Sequence, residues 1–283
     1  TDGLVETDPR IMAVRAGHAG VAVTRQRGWR HSDPASEFVA FLDSDDTWEP
    51  EALAVLVDAL DSEPDCGAAY GLARGTDMDG HQYENDDLPD LMRRRDVLQG
   101  GQSVDLAAGE RTPFGAMLLK NCVVTPGTAL IRRSALDRIG GVDASTEPAD
   151  DWDLFIRLAR DSDLLLVDRV ILNWRRHPDS LSNTSKRWSR AWLVVRTRTI
   201  QSPDNSAEQR GAALDALRAD CRSWRRHMVA GLRRRDPHET ARAVVYVLAS
   251  SGMYARWHWF TRDRRSLSAV ARNQGKVSGA VPG

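Results

Sequence analysis

Residues 38–48 read Phe38-Val39-Ala40-Phe41-Leu42-Asp43-Ser44-Asp45-Asp46-Thr47-Trp48, an apolar run that breaks into three carboxylates. Glu37–Leu42 has the length and apolar character of a buried strand. Asp43 and Asp45 stand at i and i+2, a spacing that puts both side chains on one face of extended backbone. A buried strand presenting paired carboxylates at its C-terminal end suits a hard divalent cation held against phosphate oxygens. The same letters also fit a strand followed by a polar turn, with the aspartates capping the next helix.

Working outward, strands and helices alternate. Arg10–Val14 is a short strand candidate, and Ala19–Arg27 has weak helical character ending at Gly28. After Pro50, the spacing of Leu53, Leu56, Val57 and Leu60 predicts a helix. It stops at Asp61-Ser62-Glu63-Pro64, where proline cannot continue it. A strand over Gly67–Ala73 leads to an Asp79-Gly80 turn. Residues 84–112, polar and rich in Asp, Arg and Gly, predict a mobile loop. A short helix at Pro113–Lys120, a strand at Val123–Arg132 and a helix begun by Ser134 follow. Trp152, Phe155, Ile156 and Ala159 share one helical face, and Leu164–Trp174 closes the region as a strand or strand pair. Such alternation implies a mostly parallel sheet covered by helices, with ligands at the carboxyl ends of its strands.

The formal net charge of −1 conceals a split. Residues 1–184 carry 19 basic and 33 acidic side chains, whereas 185–283 carry 20 basic and 7 acidic. Two units with different tasks are therefore expected, 1–184 and 185–283. The three cysteines are far apart and show no disulfide or zinc spacing, so a reducing compartment is the default. No apolar run is long enough to span a bilayer.

Five further segments carry a resemblance. Gly17-His18-Ala19-Gly20-Val21-Ala22-Val23-Thr24-Arg25-Gln26-Arg27-Gly28 precedes the carboxylate strand. Val124–Thr128 and Arg132–Asp143 follow it, then Asp150-Asp151-Trp152-Asp153-Leu154, then Trp174-Arg175-Arg176-His177 with Ser180-Leu181-Ser182. Taken in this order, residues 1–184 resemble family 2 glycosyltransferases of the GT-A fold. His18 replaces a usual Asn, Thr24-Arg25-Gln26 replaces Ala-Arg-Asn, and Asp150 replaces Glu. The resemblance implies a Rossmann-type mixed, mostly parallel sheet flanked by helices, followed here by a helical C-terminal extension. Because Thr1-Asp2-Gly3 looks like the tail of the family's Asp-Asp-Gly-Ser-Thr-Asp-Gly segment, it also implies that a βαβ opening of about 30 or more residues is missing.

The chemistry implied is metal-dependent, inverting transfer of a sugar from a nucleoside diphosphate sugar to a hydroxyl acceptor, glycan or lipid-linked, in polysaccharide or cell-envelope synthesis. Mg2+ or Mn2+ is expected at Asp45 and Asp43, with Asp46 as a further ligand or a cap. Arg25, Asp43, Asp45 and His177 are expected at the nucleotide sugar, Arg25 at the nucleotide or diphosphate, Asp43 toward the ribose or metal waters, and His177 at the metal or diphosphate. Inversion needs a base opposite the leaving group, and Asp151 beside Asp150 fits it, since neighbouring carboxylates raise one another's pKa. Both acids also suit a helix N-terminus for structural reasons alone.

Two other classes compete. Asp43-Ser44-Asp45-Asp46-Thr47 resembles the nucleophile motif of haloacid-dehalogenase-like phosphatases, with Asp43 as nucleophile, Asp45 as general acid/base and Lys120 and Asp150/Asp151 as later elements. A non-catalytic remnant that binds sugar nucleotides is the other. The Arg- and Trp-rich extension, with Trp188, Trp192, Trp224, Trp257 and Trp259 beside Arg225-Arg226 and Arg233-Arg234-Arg235, suits docking or a homodimer first. An anionic membrane surface at the cytoplasmic face ranks second and nucleic acid last.

Overall fold

The computed structural model describes residues 8–176, 185–237, 240–241 and 243–252. The chain divides into two compact units, Thr1–Ala212 and Ala213–Gly283. The charge balance changes sign earlier, at 184/185, so the first helix of the basic stretch falls in the first unit.

In the first unit, α1 (Val21–His31) leads to β1 (Phe38–Ala40), β2 (Thr47–Trp48), α2 (Ala52–Ser62) and β3 (Ala68–Thr76). Then come α3 (Leu88–Arg93), β4 (Asp96–Gln99), β5 (Gln102–Asp105) and α4 (Phe114–Leu119). A single 3-10 turn at Pro126–Thr128 enters β6 (Ala129–Arg132), followed by α5 (Arg133–Arg138), α6 (Asp150–Asp161), β7 (Leu164–Arg175) and α7 (Ser185–Gln201).

Five strands make one sheet in the order β1-β6-β3-β7-β2. β3 and β7 pair in parallel. β6 lies between β1 and β3 and runs against both, and β2 runs against β7. The sheet is mixed and flanked by helices, yet only one of its four pairings is parallel, where the alternation of elements predicts mostly parallel. Two strands run against the other three: β6, inserted between two strands of common direction, makes both of its pairings antiparallel, and β2 at the edge runs against β7. Apolar periodicity reports burial and carries no strand direction.

Burial explains the layering. Ala52, Leu56 and Leu60 of α2 and Leu88 and Met92 of α3 join Leu72, Ala73, Ile171 and Leu172 in one apolar cluster. Leu53, on the predicted face of α2, is instead 44% exposed. β3 is buried along nearly its whole length and uses small residues. A Cβ on Gly71 would lie 2.7 Å from Ile171 Cγ1, so glycine lets β7 close against β3 there.

Three local expectations change. Arg10–Val14 forms no strand, and α1 runs through Gly28 to His31. Residues 84–112 are not a structureless loop: they contain α3 and the β4–β5 hairpin. Arg95 holds them together. Its side chain is buried and its guanidinium donates to the carbonyls of Glu110 and Ala107 and to Thr112 Oγ1. Hydrogen bonds from a charged donor are worth about 1.5–3 kcal/mol each. A buried arginine has no apolar period, so the composition of the segment hides this staple.

The expected helical extension is present among the described residues as α7, α8 (Ala207–Arg234) and helical backbone at 243–252. Two of its tryptophans pack internally. Arg196 lies 4.8 Å from the Trp152 ring and 5.4 Å from the Trp192 ring, within the first unit. In the second unit Trp224 stacks on Tyr246 at 4.0 Å. Arg225, Arg226 and Arg233–Arg235 are exposed. Among the described residues, no helix is long and apolar enough to cross a membrane.

Candidate active site

β1 ends at Ala40, and the carboxylates follow in a turn closed by the Asp46 amide donating to the Asp43 carbonyl at 3.2 Å. The turn is needed because the chain reverses into β2, which pairs with β7. Trp48 anchors the exit by donating Nε1–H to the Gly127 carbonyl at 2.7 Å. Asp43 and Asp45 are half-buried. Asp46 turns inward, and its Oδ1 accepts the Arg175 amide at 3.0 Å. Burial pushes Asp46 up to about 7, against that amide and reinforced by Asp45 and Asp43.

The second cluster opens α6. The N-cap is Ala149, so Asp150 and Asp151 lie inside the first turn, where the helix dipole favours acids. Both are buried, Asp150 to 1% and Asp151 to 8% exposure. Asp151 Oδ1 accepts its neighbour's amide, Trp152 N–H, at 2.7 Å, and Oδ2 accepts Asn121 Nδ2 at 3.1 Å. Burial pushes Asp151 up to about 7, with Asp150 adding to the rise and Arg25 and these two donors opposing it. Trp152 fixes the helix by donating Nε1–H to the Met117 carbonyl at 2.7 Å. Asp153 serves structure: it pairs with Arg157 at 2.7 Å.

Arg25 joins the two clusters. One terminal nitrogen reaches both Asp43 oxygens at 2.8 and 2.9 Å, and the other reaches Asp150 Oδ2 at 2.9 Å. Burial disfavours the charge on Arg25, but Asp43 and Asp150 more than offset this and hold it protonated. Burial likewise raises Asp150, and Arg25 returns part of that rise. The helix carrying Arg25 is docked one residue further on. Gln26 donates Nε2–H to the Gly140 carbonyl at 3.1 Å and accepts the Val142 amide at 2.7 Å. Gly141 between them has φ +79°, and a Cβ there would lie 2.5 Å from the Trp29 ring. The start of α1 is held too, with the Ala22 amide donating to Glu147 at 3.2 Å.

The structure thus brings together Arg25, Asp43, Asp150 and Asp151, with Asp45 and Asp46 in the adjoining turn. His177 lies outside the described residues. Lys120 donates to the Leu91 carbonyl at 2.9 Å. Asn121 was not identified from the sequence, since it belongs to no local pattern; Gln26 lies in the Thr24-Arg25-Gln26 triplet of the resemblance but had no role assigned to it. Also unanticipated is a turn in which Asp77, Asp79 and His81 place ligand atoms within 4.8 Å of one another, the only such trio among the described residues. Those oxygens serve the turn itself, since Asp77 Oδ1 accepts the amides of Asp79 and His81.

A hard cation needs oxygen donors, and the Asp43–Asp46 turn offers carboxylates only. Arg25 covers both Asp43 oxygens and the Arg175 amide takes one of Asp46, while Asp45 is half-buried in the same turn. Around it, a cationic bridge and a buried acid able to exchange a proton near neutrality suit chemistry in which negative charge leaves on one side and a proton on the other.

The family model described as "Glycosyltransferase like family 2" matches residues 15–198. No curated protein matches the chain. Among solved structures, the mannosyltransferase PcManGT from Pyrobaculum calidifontis, in complex with GDP-Man and Mn2+, is similar with a TM-score of 0.51 at 15% identity. That match covers 90% of this chain and 72% of the other. At such identity the likeness is one of fold.

Proposed function

The chain belongs to the glycosyltransferase-like family 2, with a mixed α/β architecture similar to the GT-A fold, and from that premise we propose an inverting transferase that uses a nucleoside diphosphate sugar. The observation that carries this reading is the Arg25 bridge, which sets the Asp43–Asp46 turn beside the buried Asp150–Asp151 pair. Asp45, with Asp43 behind it, would hold Mg2+ or Mn2+. When bound, that ion neutralises charge developing on the leaving diphosphate.

Asp151 takes the proton of the acceptor hydroxyl as that oxygen attacks the anomeric carbon. Its proton affinity, pushed up to about 7, is matched to the task near neutral pH. Asn121 orients the carboxylate. Arg25 was expected at the nucleotide; its commitment to Asp43 and Asp150 supports a positioning role instead. Family membership removes the phosphatase reading of Asp43, in keeping with Lys120 donating to the Leu91 carbonyl. The exposed arginines of α8 support an interface function for the extension at a second copy or an anionic cytoplasmic membrane face.

The test is calorimetric titration of the full chain with a panel of nucleoside diphosphate sugars, beginning with GDP-mannose, with and without Mn2+. Binding that requires the ion and is lost in Asp45→Asn is expected, and slow hydrolysis of the bound donor, with water in place of the acceptor hydroxyl, should release nucleoside diphosphate and a sugar of inverted anomeric configuration. Metal-independent binding or a retained configuration would overturn the mechanism.

A further inference from the structure

A cavity of about 300 Å3 opens at the carboxyl ends of β3 and β7. Volumes of this order hold a small ligand or one group of a larger one. The charged side chains that line it are Arg74 and Arg175, and Thr47, Thr76 and Asn173 add polar atoms. Arg74 is engaged: Nε donates to Asn173 Oδ1 at 2.6 Å, and a terminal nitrogen pairs with Glu49. Glu49 also accepts Asn173 Nδ2 at 3.0 Å, closing a neutral trio.

Arg175 differs. Among the described residues its guanidinium makes no ion pair, and its buried Nε has no hydrogen-bond partner. Thr76, opposite it in the β3–β7 register and 1% exposed, likewise has an unpartnered Oγ1. Buried donors are nearly always paired, because leaving them so costs free energy. Two such groups on one cavity wall, one carrying a positive charge unmatched by any carboxylate in the lining, form a donor set for an anion. Of the nearby acids, Asp46 accepts the Arg175 amide and feels the guanidinium charge at longer range without pairing with it, and Asp77 Oδ1 takes amides of its own turn.

We infer that this cavity binds an oxyanion, phosphate or carboxylate, through Arg175 and Thr76. Its wall is continuous with the carboxylate turn, since Thr47 follows Asp46 and the Arg175 amide bonds to Asp46. Assigning the oxyanion to the acceptor rests on the transferase reading; the anion site itself does not.

The experiment titrates the full chain, free of divalent cations, with inorganic phosphate, with glucuronate and with glucose as the neutral control. Arginine Nε–H signals are followed by NMR. Phosphate or glucuronate is expected to shift the Arg175 signal where glucose does not, and whichever binds identifies the acceptor's anionic group. Arg175→Gln and Thr76→Val each weaken binding about tenfold or more, whereas Thr76→Ser, which keeps the hydroxyl, retains it. Failure of both anions to bind, equal binding of glucose, or binding indifferent to Thr76→Val overturns the inference. Donor titrations on the same samples separate the two readings. Donor binding without anion binding sinks the cavity alone; anion binding without donor binding sinks the transferase alone.

Discussion

Two pairs of aspartates meet at Arg25. On one side the Asp43 side chain is 36% exposed at a surface turn; on the other the Asp150 side chain is 2% exposed at the start of a packed helix. The chemistry of the side chains is identical, and so is the cation between them. What differs is surroundings. The turn leaves Asp45 half-buried, whereas α6 seals Asp151 so that burial pushes it up to about 7. A carboxylate that keeps its proton near neutrality can accept and release one; a partly solvated carboxylate serves better as a fixed charge.

The strongest challenge to this contrast is Asp151→Asn. It should lower kcat by roughly 10²–10⁴-fold while leaving donor affinity unchanged, the size expected of a lost general base. A matched loss of donor binding would instead place Asp151 with the turn. Next is the bridge. Arg25→Met leaves Asp150 buried without its partner, which should cost about 3–5 kcal/mol in urea unfolding at pH 8. Adding Asp150→Asn should recover most of that loss; no recovery would show that Arg25 acts on Asp43 alone.

The pH dependence of stability provides a third, smaller measure. Asp151 holds its proton more tightly folded than unfolded, so its contribution is complete below about 4 and fades as pH rises toward about 7. The slope attributable to one such group is at most about 1.4 kcal/mol per pH unit, and Asp151→Asn should remove it. Over the same range the transfer rate should climb with pH, because the base must be ionised. The smallest effect belongs to Asn121→Ala: without its donated hydrogen bond the charged form of Asp151 is less favoured, and the rising limb of the rate profile should move to higher pH. An unmoved limb would mean that Asn121 only packs.

The carboxylate turn, α2 and the Asp150-Asp151-Trp152 helix start were legible because each is written in contiguous residues. Spacing over three or four positions reports burial and turns directly. The Arg25–Asp150 pair spans 125 positions, and nothing local marks either residue as the other's partner. The same holds for Asn121 with Asp151, and for Arg95, whose partners are mainly backbone carbonyls and so leave no side-chain signature. The direction of β6 is set by its crossover and was not encoded in the apolar character of the strand. The family resemblance placed Arg25 near the diphosphate site, and geometry then showed which charges it meets.

The clasp between Gln26 and the Gly140–Val142 turn works as an angular index. Each residue of an α-helix advances it by about 100°, so a helix gripped at one position has every other side chain's bearing decided. Gln26 is that grip, and Arg25 is the pointer beside it. Gly141 is the stop against which Trp29 rests, too close for any larger residue. Inserting a single residue between Arg25 and Gln26 would leave α1 helical and docked, yet swing the guanidinium a quarter-turn or more away from both aspartates. The span between the two acid clusters is therefore bridged by an arginine whose aim is set from the side, by an amide that touches neither of them.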